Sequence, residues 1–187
     1  LDLAVRIATG GCFLGYECKA GPVIYYALED GPRRLARRLH ALGGASTDSL
    51  RVYFETPDDL VAAIEGHFAT DNALLVIVDT VGRAWSFDHN EMEKVYEGYA
   101  PLQALATRYE RGLVVIDHLR KGRGEITSVE DVSGSTGKSA TADNIWLLDR
   151  PPRKKTATLD IISRDLDEDL SLALEPGEGG AWKCVGS

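Results

Sequence analysis

Three polar side chains stand where apolar runs of the sequence end: Glu29, Asp79 and His118. Asp79 follows the apolar run LLVIV, and the hydroxyl of Thr80 comes next. A buried parallel strand would deliver such groups to its C-terminal edge, where open α/β sheets bind ligands. Mg²⁺ prefers oxygen ligands and takes the rest from phosphates and water, so one carboxylate at a strand end suffices. We therefore predict a metal-binding role for Asp79 and a cofactor-binding role for Thr80; the alternative for Asp79 is an acid that caps the following loop.

Glu29 and His118 follow strand-like runs of their own. A glutamate across a narrow cleft from metal and phosphate can orient or deprotonate an attacking water. A neutral imidazole can hydrogen-bond a phosphate oxygen and report its loss to the next loop. The alternatives are a solvated loop acid for Glu29 and an ordinary partnered polar residue for His118. We predict catalytic roles for both.

Positively charged side chains at two places in the sequence could also take part in binding or catalysis. The segment after His118 carries Arg120, Lys121 and Arg123, which in a channel could contact a nucleic-acid backbone and otherwise form a solvated loop. Arg164 ends the run at 155–163 and precedes an acidic segment. It could act as an arginine finger from a neighbouring subunit, or form a local ion pair with Asp165 or Asp167.

The segment GSTGKS at 134–139 is close to a phosphate-binding loop but does not match one. The pattern GxxxxGK[ST] requires glycine at position 132, where the chain has Val132. The segment also precedes a strand, whereas a phosphate-binding loop joins a strand to the helix that follows. We expect a short turn whose exposed backbone N–H groups lie near the site, with Gly134 and Ser135 contacting the cofactor.

The elements that position these residues alternate between strand and helix. Helices are predicted at 2–9, from Pro32 to about Leu42, from about Thr56 to Phe68 with Thr56 as N-cap, and at 91–110 after a polar loop at 80–90. Strands are predicted at 23–28, 51–55, 73–79, 112–117 and 144–149. Later segments at 155–163, 169–174 and 181–185, joined by turns, indicate an antiparallel meander. The alternation indicates an α/β fold with a mainly parallel sheet flanked by helices.

Composition excludes several classes of protein. A length of 187 residues suits a single domain, and the net charge of −8 argues against a surface that binds nucleic acid everywhere by charge. Three cysteines without metal spacing indicate reduced thiols in a cytoplasmic protein. No apolar run is long enough to span a membrane. The chain begins at Leu1 in helical register, so we expect that helix to start upstream.

The ordered motifs together resemble a known family. The segments LDLAVRIATGGCFLG, VIYYALEDGPRRLARRL, LLVIVDTVGR, VVIDHLRKG, GSTGKSATADNIWLL and LDIISRDLDEDLSLAL are similar to the RecA-like ATPase domain of RepA-type replicative helicases, relatives of DnaB-type hexameric helicases. The resemblance spans nearly the whole chain. It implies a P-loop NTPase fold of RecA type, ATP and Mg²⁺ as cofactors, a ring of six subunits and single-stranded DNA in the central channel.

The resemblance also implies a role for each matched residue. Asp79 matches the Walker B aspartate, Glu29 the catalytic glutamate and His118 the phosphate sensor. Arg164 matches the arginine finger that acts on a neighbouring subunit. The segments after Asp79 and His118 correspond to the loops that face the DNA channel.

One expected motif is missing from the chain. In relatives the Walker A glycines, lysine and Ser/Thr stand just before the helix that begins here at Leu1, so we expect residues 1–187 alone to bind ATP very weakly or not at all. Three hypotheses remain: a replicative helicase ATPase, a non-catalytic assembly or regulatory module of the same fold, and another RecA-type ATPase in recombination or signalling.

Overall fold

The structure is a computed structural model, and it describes residues 1–44, 47–85, 92–118 and 141–186. Five residues with predicted roles lie outside these ranges: Arg120, Lys121, Arg123, Gly134 and Ser135.

Helices and strands are numbered in chain order. The strands are β1 (Cys12–Phe13), β2 (Tyr16–Glu17), β3 (Val23–Ala27), β4 (Leu50–Tyr53), β5 (Leu75–Asp79), β6 (Gly112–Ile116), β7 (Asn144–Asp149), β8 (Ala157–Ser163), β9 (Leu170–Pro176) and β10 (Trp182–Gly186). The helices are α1 (Asp2–Thr9), α2 (Pro32–Ala41), α3 (Leu60–Ala69), α4 (Val81–Ala84) and α5 (Met92–Tyr109).

Four strands form the predicted parallel sheet, in the spatial order β4-β3-β5-β6. The inner strands β3 and β5 are apolar and buried along almost their whole length. Such strands are expected where helices cover both faces of a sheet. The predicted α/β architecture is therefore confirmed, with each strand within about two residues of its predicted bounds.

Alternate residues of the sheet enter two separate cores. On one face, Tyr25, Ala27 and Ile77 pack with Ala4 and Ala8 of α1. On the opposite face, residues of β3 and β5 pack against α3 and α5, in the cluster Ile24, Tyr26, Leu60, Ile64, Phe68, Ala73, Val76, Val78, Leu102 and Leu105. This two-sided burial fixes the register of the strands, because a shift by one residue would exchange the two cores.

The register brings the strand ends level with one another. Ala27 lies opposite Asp79 on β5, and Asp79 lies opposite Ile116 on β6. Residues that follow these three strands therefore emerge at one edge of the sheet, as the sequence predicted.

The predicted start of α3 is wrong. The structure places the N-cap at Asp59, whose side chain accepts a hydrogen bond from the backbone N–H of Ala62, and the helix begins at Leu60. The predicted cap, Thr56, stands three residues earlier. Leu60 is the first buried residue of the helical series, so the helix has no apolar side chain to bury before it.

The segment 80–90, predicted as a polar loop, begins with the short helix α4 directly after Thr80. Its first residue, Val81, is fully buried. The long helix that was predicted at 91–110 agrees with α5 to within one residue at each end.

The C-terminal strands form a separate antiparallel sheet in the order β10-β9-β8-β7. The predicted meander is confirmed, and the strand at 144–149 belongs to it. A small core of Ala157, Leu159, Leu172 and Leu174 lies on one face of this sheet. Within the described ranges β6 and β7 each pair with one strand only, so each is an edge of its sheet.

Several contacts between described residues join the antiparallel sheet to the rest of the chain. The ring of Phe13 on β1 stacks on Trp146 of β7, with ring centroids 6.4 Å apart. Gln103 of α5 donates to the carboxylate of Asp143 at 3.1 Å. The turn between β9 and β10 lies on the end of α2, where a Cβ at Gly179 would stand 2.1 Å from the carbonyl oxygen of Ala41.

Two remaining observations concern the cysteines and membranes. Cys12, Cys18 and Cys184 are free, and Cys12 and Cys184 are exposed. Among the helices in the described part of the chain, none is both long and apolar enough to cross a membrane.

Candidate functional site

Glu29, Thr80 and His118 form one hydrogen-bonded group at the carboxyl edge of the parallel sheet. The Thr80 hydroxyl donates to Glu29 Oε1 at 2.8 Å. Nε2 of His118 lies 3.3 Å from Oε1 and 3.1 Å from Oε2 of the same carboxylate. Three residues that follow three neighbouring strands, β3, β5 and β6, therefore meet at a single side chain.

These contacts set the charge of Glu29. The hydrogen bond from Thr80 holds the pKa of its carboxyl below the ordinary value, and the bond to His118 lowers that pKa further. The side chain is 35% exposed, so water can reach it. A carboxylate with a lowered pKa is a weak proton acceptor, and it is better suited to orient a water molecule than to deprotonate one.

Asp79 is held by a residue that sequence reasoning missed. The buried hydroxyl of Tyr25 on β3 donates to Oδ2 of Asp79. Burial raises the pKa of the Tyr25 phenol, and the hydrogen bond and charge of Asp79 raise it further, so the hydroxyl keeps its proton. Alternation places Tyr25 on the same face of β3 as Ala27, but only the register between β3 and β5, in which Ala27 lies opposite Asp79, brings Tyr25 to Asp79.

One carboxylate oxygen of Asp79 remains available. Its Oδ1 accepts no hydrogen bond from any residue that the structure describes. Thr80 is 2% exposed and donates its proton to Glu29, which leaves its hydroxyl lone pairs as acceptors. The peptide bond between Asp79 and Thr80 is cis. Oδ1 of Asp79 and the hydroxyl oxygen of Thr80 are oxygen donors of the kind that a hard cation such as Mg²⁺ prefers.

No group of three or more histidine, cysteine or carboxylate side chains that could hold a metal ion occurs in the described ranges. A cation bound at Asp79 would therefore take most of its ligands from water or from a bound phosphate.

The first turn of α1 approaches the same place. Leu1 packs on the core that contains Tyr25 and Ala27, on the face to which Asp79 belongs.

Asp30 forms ion pairs with two arginines of α2, the helix that follows it. Nε of Arg34 lies 3.1 Å from its Oδ1, and Arg38 donates to its Oδ2. These two ion pairs hold the start of α2 against the end of β3, next to Glu29.

Arg164 lies at the far end of β8, in the antiparallel sheet. Its Nη1 is 3.6 Å from Oδ1 of Asp143, and its backbone N–H donates to the Asp143 carbonyl at 3.1 Å. The side chain is 53% exposed. The structure thus brings Glu29, Asp79, Thr80 and His118 together within one chain and places Arg164 in the other sheet.

The chain matches a family model in sequence and is similar in fold to solved structures. A family model described as an AAA domain matches residues 1–124. The fold is similar to that of a DnaB-like replicative helicase whose structure was solved with its interactions with primase, with a TM-score of 0.68 and 12% identity over 88% of this chain. It is also similar to the RadB recombinase, with a TM-score of 0.60 and 16% identity over 99% of this chain.

The extent of these matches differs between the two solved structures. The chain spans 50% of the helicase and 84% of the recombinase. Both similarities support the RecA-like fold that the sequence indicated. Since the family model covers well over half of the residues, the chain belongs to the AAA domain family, and its fold is RecA-like.

Proposed function

We propose that this chain is the ATP-hydrolysing domain of a RepA-type DNA helicase that acts in replication. The observation that carries the proposal is the meeting of Glu29, Thr80 and His118 on one carboxylate beside Asp79. Membership of the AAA domain family supports the binding of ATP, and the similarity to a DnaB-like replicative helicase supports the choice of helicase.

Asp79 and Thr80 would hold Mg²⁺ at the phosphates of ATP. When bound, ATP supplies the phosphoryl group and Mg²⁺ offsets the negative charge that develops during transfer. The hydrogen bond from Tyr25 fixes Oδ2 of Asp79, so Oδ1 points to a constant position.

Glu29 orients the attacking water. Its carboxylate is ionised, partly exposed and anchored on both sides by Thr80 and His118. Anchoring removes rotational freedom from the side chain before the reaction begins, which is a substantial part of positional catalysis.

His118 acts as the phosphate sensor. Its imidazole is 73% exposed and touches Glu29, so it stands between the proposed water site and the segment that continues from β6. A change in the contacts of Glu29 reaches His118 directly through their shared hydrogen bond. Residues Arg120, Lys121 and Arg123, which follow, would contact single-stranded DNA, and Gly134 and Ser135 would contact the nucleotide.

Arg164 completes the site of a neighbouring subunit in a ring, which we propose to be a hexamer. Its ion pair with Asp143 joins two side chains that are each about half exposed, and such pairs contribute little free energy. In the ring, Arg164 would exchange Asp143 for phosphate charge across the subunit boundary.

The decisive experiment compares the full-length protein with its Glu29→Gln and Asp79→Ala variants. Each substitution is expected to lower ATP hydrolysis stimulated by single-stranded DNA by about a hundredfold or more, because it removes the water-positioning group or the metal ligand. Glu55→Gln, an exposed carboxylate elsewhere, is the matched control and keeps the wild-type rate. Equal rates in all four proteins would overturn the assignment.

A recombination ATPase is the second candidate. It is favoured by the similarity to the RadB recombinase, which extends over 99% of this chain and 84% of that one. The two candidates differ in product: a helicase separates the strands of a forked duplex, whereas a recombinase pairs a single strand with a homologous duplex. Strand-pairing activity without unwinding would favour this second candidate.

A further inference from the structure

The helix α2 concentrates positive charge in an acidic protein. It carries Arg33, Arg34, Arg37 and Arg38 within Pro32–Ala41, whereas the whole chain has a net charge of −8. Leu35 is 1% exposed and anchors the helix to the sheet, so the arginines occupy the outward side.

The four arginines divide into two pairs. Arg34 and Arg38 fold back onto Asp30. Arg33 and Arg37 are both exposed, and neither forms an ion pair with the residues that the structure describes. A spacing of four residues places Arg33 and Arg37 side by side on one helix face, which we call the basic face. This face is left without a partner of opposite charge within the described chain.

The turn between β8 and β9 has the opposite character. Asp165, Asp167, Glu168 and Asp169 are all exposed, and no described residue forms an ion pair with them. Leu166, between them, is 47% exposed. We call residues 165–169 the acidic turn. It combines a row of carboxylates with one apolar side chain, a composition that suits a contact with a basic helix.

These two surfaces do not meet within one chain. The strand β9 runs from the acidic turn to the turn at Gly179 that contacts Ala41 of α2, a length of roughly 20 Å. No ion pair joins the basic face to the acidic turn among the described residues, and the charges of the two surfaces are complementary.

Each surface adjoins one half of the proposed ATPase site. The basic face begins four residues after Glu29, and the acidic turn begins one residue after Arg164. We propose that the basic face of one subunit docks onto the acidic turn of a second copy of this chain. The inference rests on the proposed function, because this docking guides Arg164 towards the neighbour's Glu29. Repetition of one head-to-tail contact closes a ring.

A charge-reversal experiment on the full-length protein tests the docking. The first variant is Arg33→Glu with Arg37→Glu, and the second is Asp165→Lys, Asp167→Lys and Asp169→Lys, which together change the charge of the acidic turn from −4 to +2. Each alone places like charges across the contact, and sedimentation velocity is expected to show association weakened about tenfold or more. A 1:1 mixture of the two variants restores opposite charges at every contact and is expected to recover wild-type association.

The controls separate docking from other causes of loss. Lys154→Glu with Lys155→Glu makes the same change of charge as the first variant, on the exposed turn between β7 and β8, and its association should stay at the wild-type level. Melting temperatures show whether the reversed variants remain folded. Because the contact is electrostatic, rising salt should weaken association of the wild type more than that of either variant.

Two results would overturn the docking proposal. One is wild-type association in both single variants, and the other is loss that mixing does not repair. Normal association with weaker binding of single-stranded DNA by the first variant would assign the basic face to nucleic acid instead. ATP hydrolysis by the wild type is measured separately: its absence would refute the ATPase assignment, whereas repair by mixing would still support the docking.

Discussion

A single hydrogen bond sets the orientation of Asp79. The Tyr25 hydroxyl that donates to it is buried in the core beneath the carboxyl edge of the sheet. Asp79 itself is the last residue of β5, and the backbone there is fixed by ladders on both sides. The carboxylate therefore has little freedom to rotate, which is the condition for a ligand to meet a cation with constant geometry.

Replacing Tyr25 with phenylalanine tests this arrangement. The variant removes one donor to a charged acceptor and leaves the ring in place, so unfolding free energy should fall by about 1.5–3 kcal/mol. Urea denaturation measures the change. Tyr16→Phe, which alters a hydroxyl on a 66% exposed residue, is the control and should leave stability unchanged. A Tyr25→Phe protein as stable as the wild type would show that the bond contributes nothing.

At the residue scale, the strand-end groups could be predicted and their support could not. Glu29, Asp79 and His118 each end an apolar run, and that local pattern suffices to place them at one edge. Tyr25 lies inside such a run, where tyrosine also serves as an ordinary core residue. Its partner is 54 residues away, and only the register between β3 and β5 brings the two together.

At the scale of elements, a polar network joins α3 to the edge of the sheet. Nδ1 of His67 lies 2.7 Å from Oδ2 of Asp71, and Arg51 on β4 donates to Oδ1 at 2.9 Å. Nε2 of His67 lies 2.8 Å from the hydroxyl of Tyr26, whose pKa burial raises to about 12. The hydrogen bond to His67, followed by the one from Arg51, holds the pKa of Asp71 below its ordinary value.

This network makes stability depend on pH in a defined direction. Because folding lowers the pKa of Asp71, its stabilising contribution is present above the unfolded value of 3.8 and is lost as pH falls through the folded value. Asp71→Asn should therefore cost about 1 kcal/mol at pH 7, and its difference from the wild type should shrink below pH 4. Urea midpoints across pH 3–7 measure it, with Asp48→Asn, an exposed turn residue, as control. A difference that stays constant with pH would contradict this mechanism.

Elements with a strong local signal were predictable. Gly10, with φ of 72°, ends α1 where the sequence indicated, and Pro32 opens α2. The start of α3 could not be predicted, because Thr56 and Asp59 are both good N-caps. The choice between them depends on which side chains the sheet can bury. The strands β1 and β2 have two residues each and carry no periodicity to detect.

At the scale of the whole molecule, one glycine sets how the antiparallel sheet meets α2. Gly179 has a φ of +66°, and a Cβ there would overlap the backbone of Ala41. Gly179→Ala should cost at least about 2 kcal/mol, because strain and steric overlap add. Gly180→Ala is the matched control: its φ is +87°, but open space surrounds it, so only the strain remains. Thermal unfolding of both variants provides the comparison, and equal losses would show that the overlap relaxes freely.

The sequence did not predict which distant segments pair with one another. The strand at 144–149 has the apolar character of either sheet, and only its ladder with β8 assigns it to the antiparallel one. The contact between Gly179 and Ala41 joins residues that lie far apart along the chain. Neither the ladder between β7 and β8 nor the contact of Gly179 with Ala41 can be recognised from the local sequence, because each depends on the shapes of both partners.

The shared carboxylate of Glu29 has a mechanical consequence. Its two oxygens bind Thr80, at the end of β5, and His118, just beyond β6, so one rotation about its side-chain torsions breaks both links together. The side chains of Thr80 and His118 then lose their shared partner together, while the backbone ladder keeps β5 and β6 paired. Glu29 thus couples Thr80 to His118 through one side chain, so a change at either residue alters the contacts of the other.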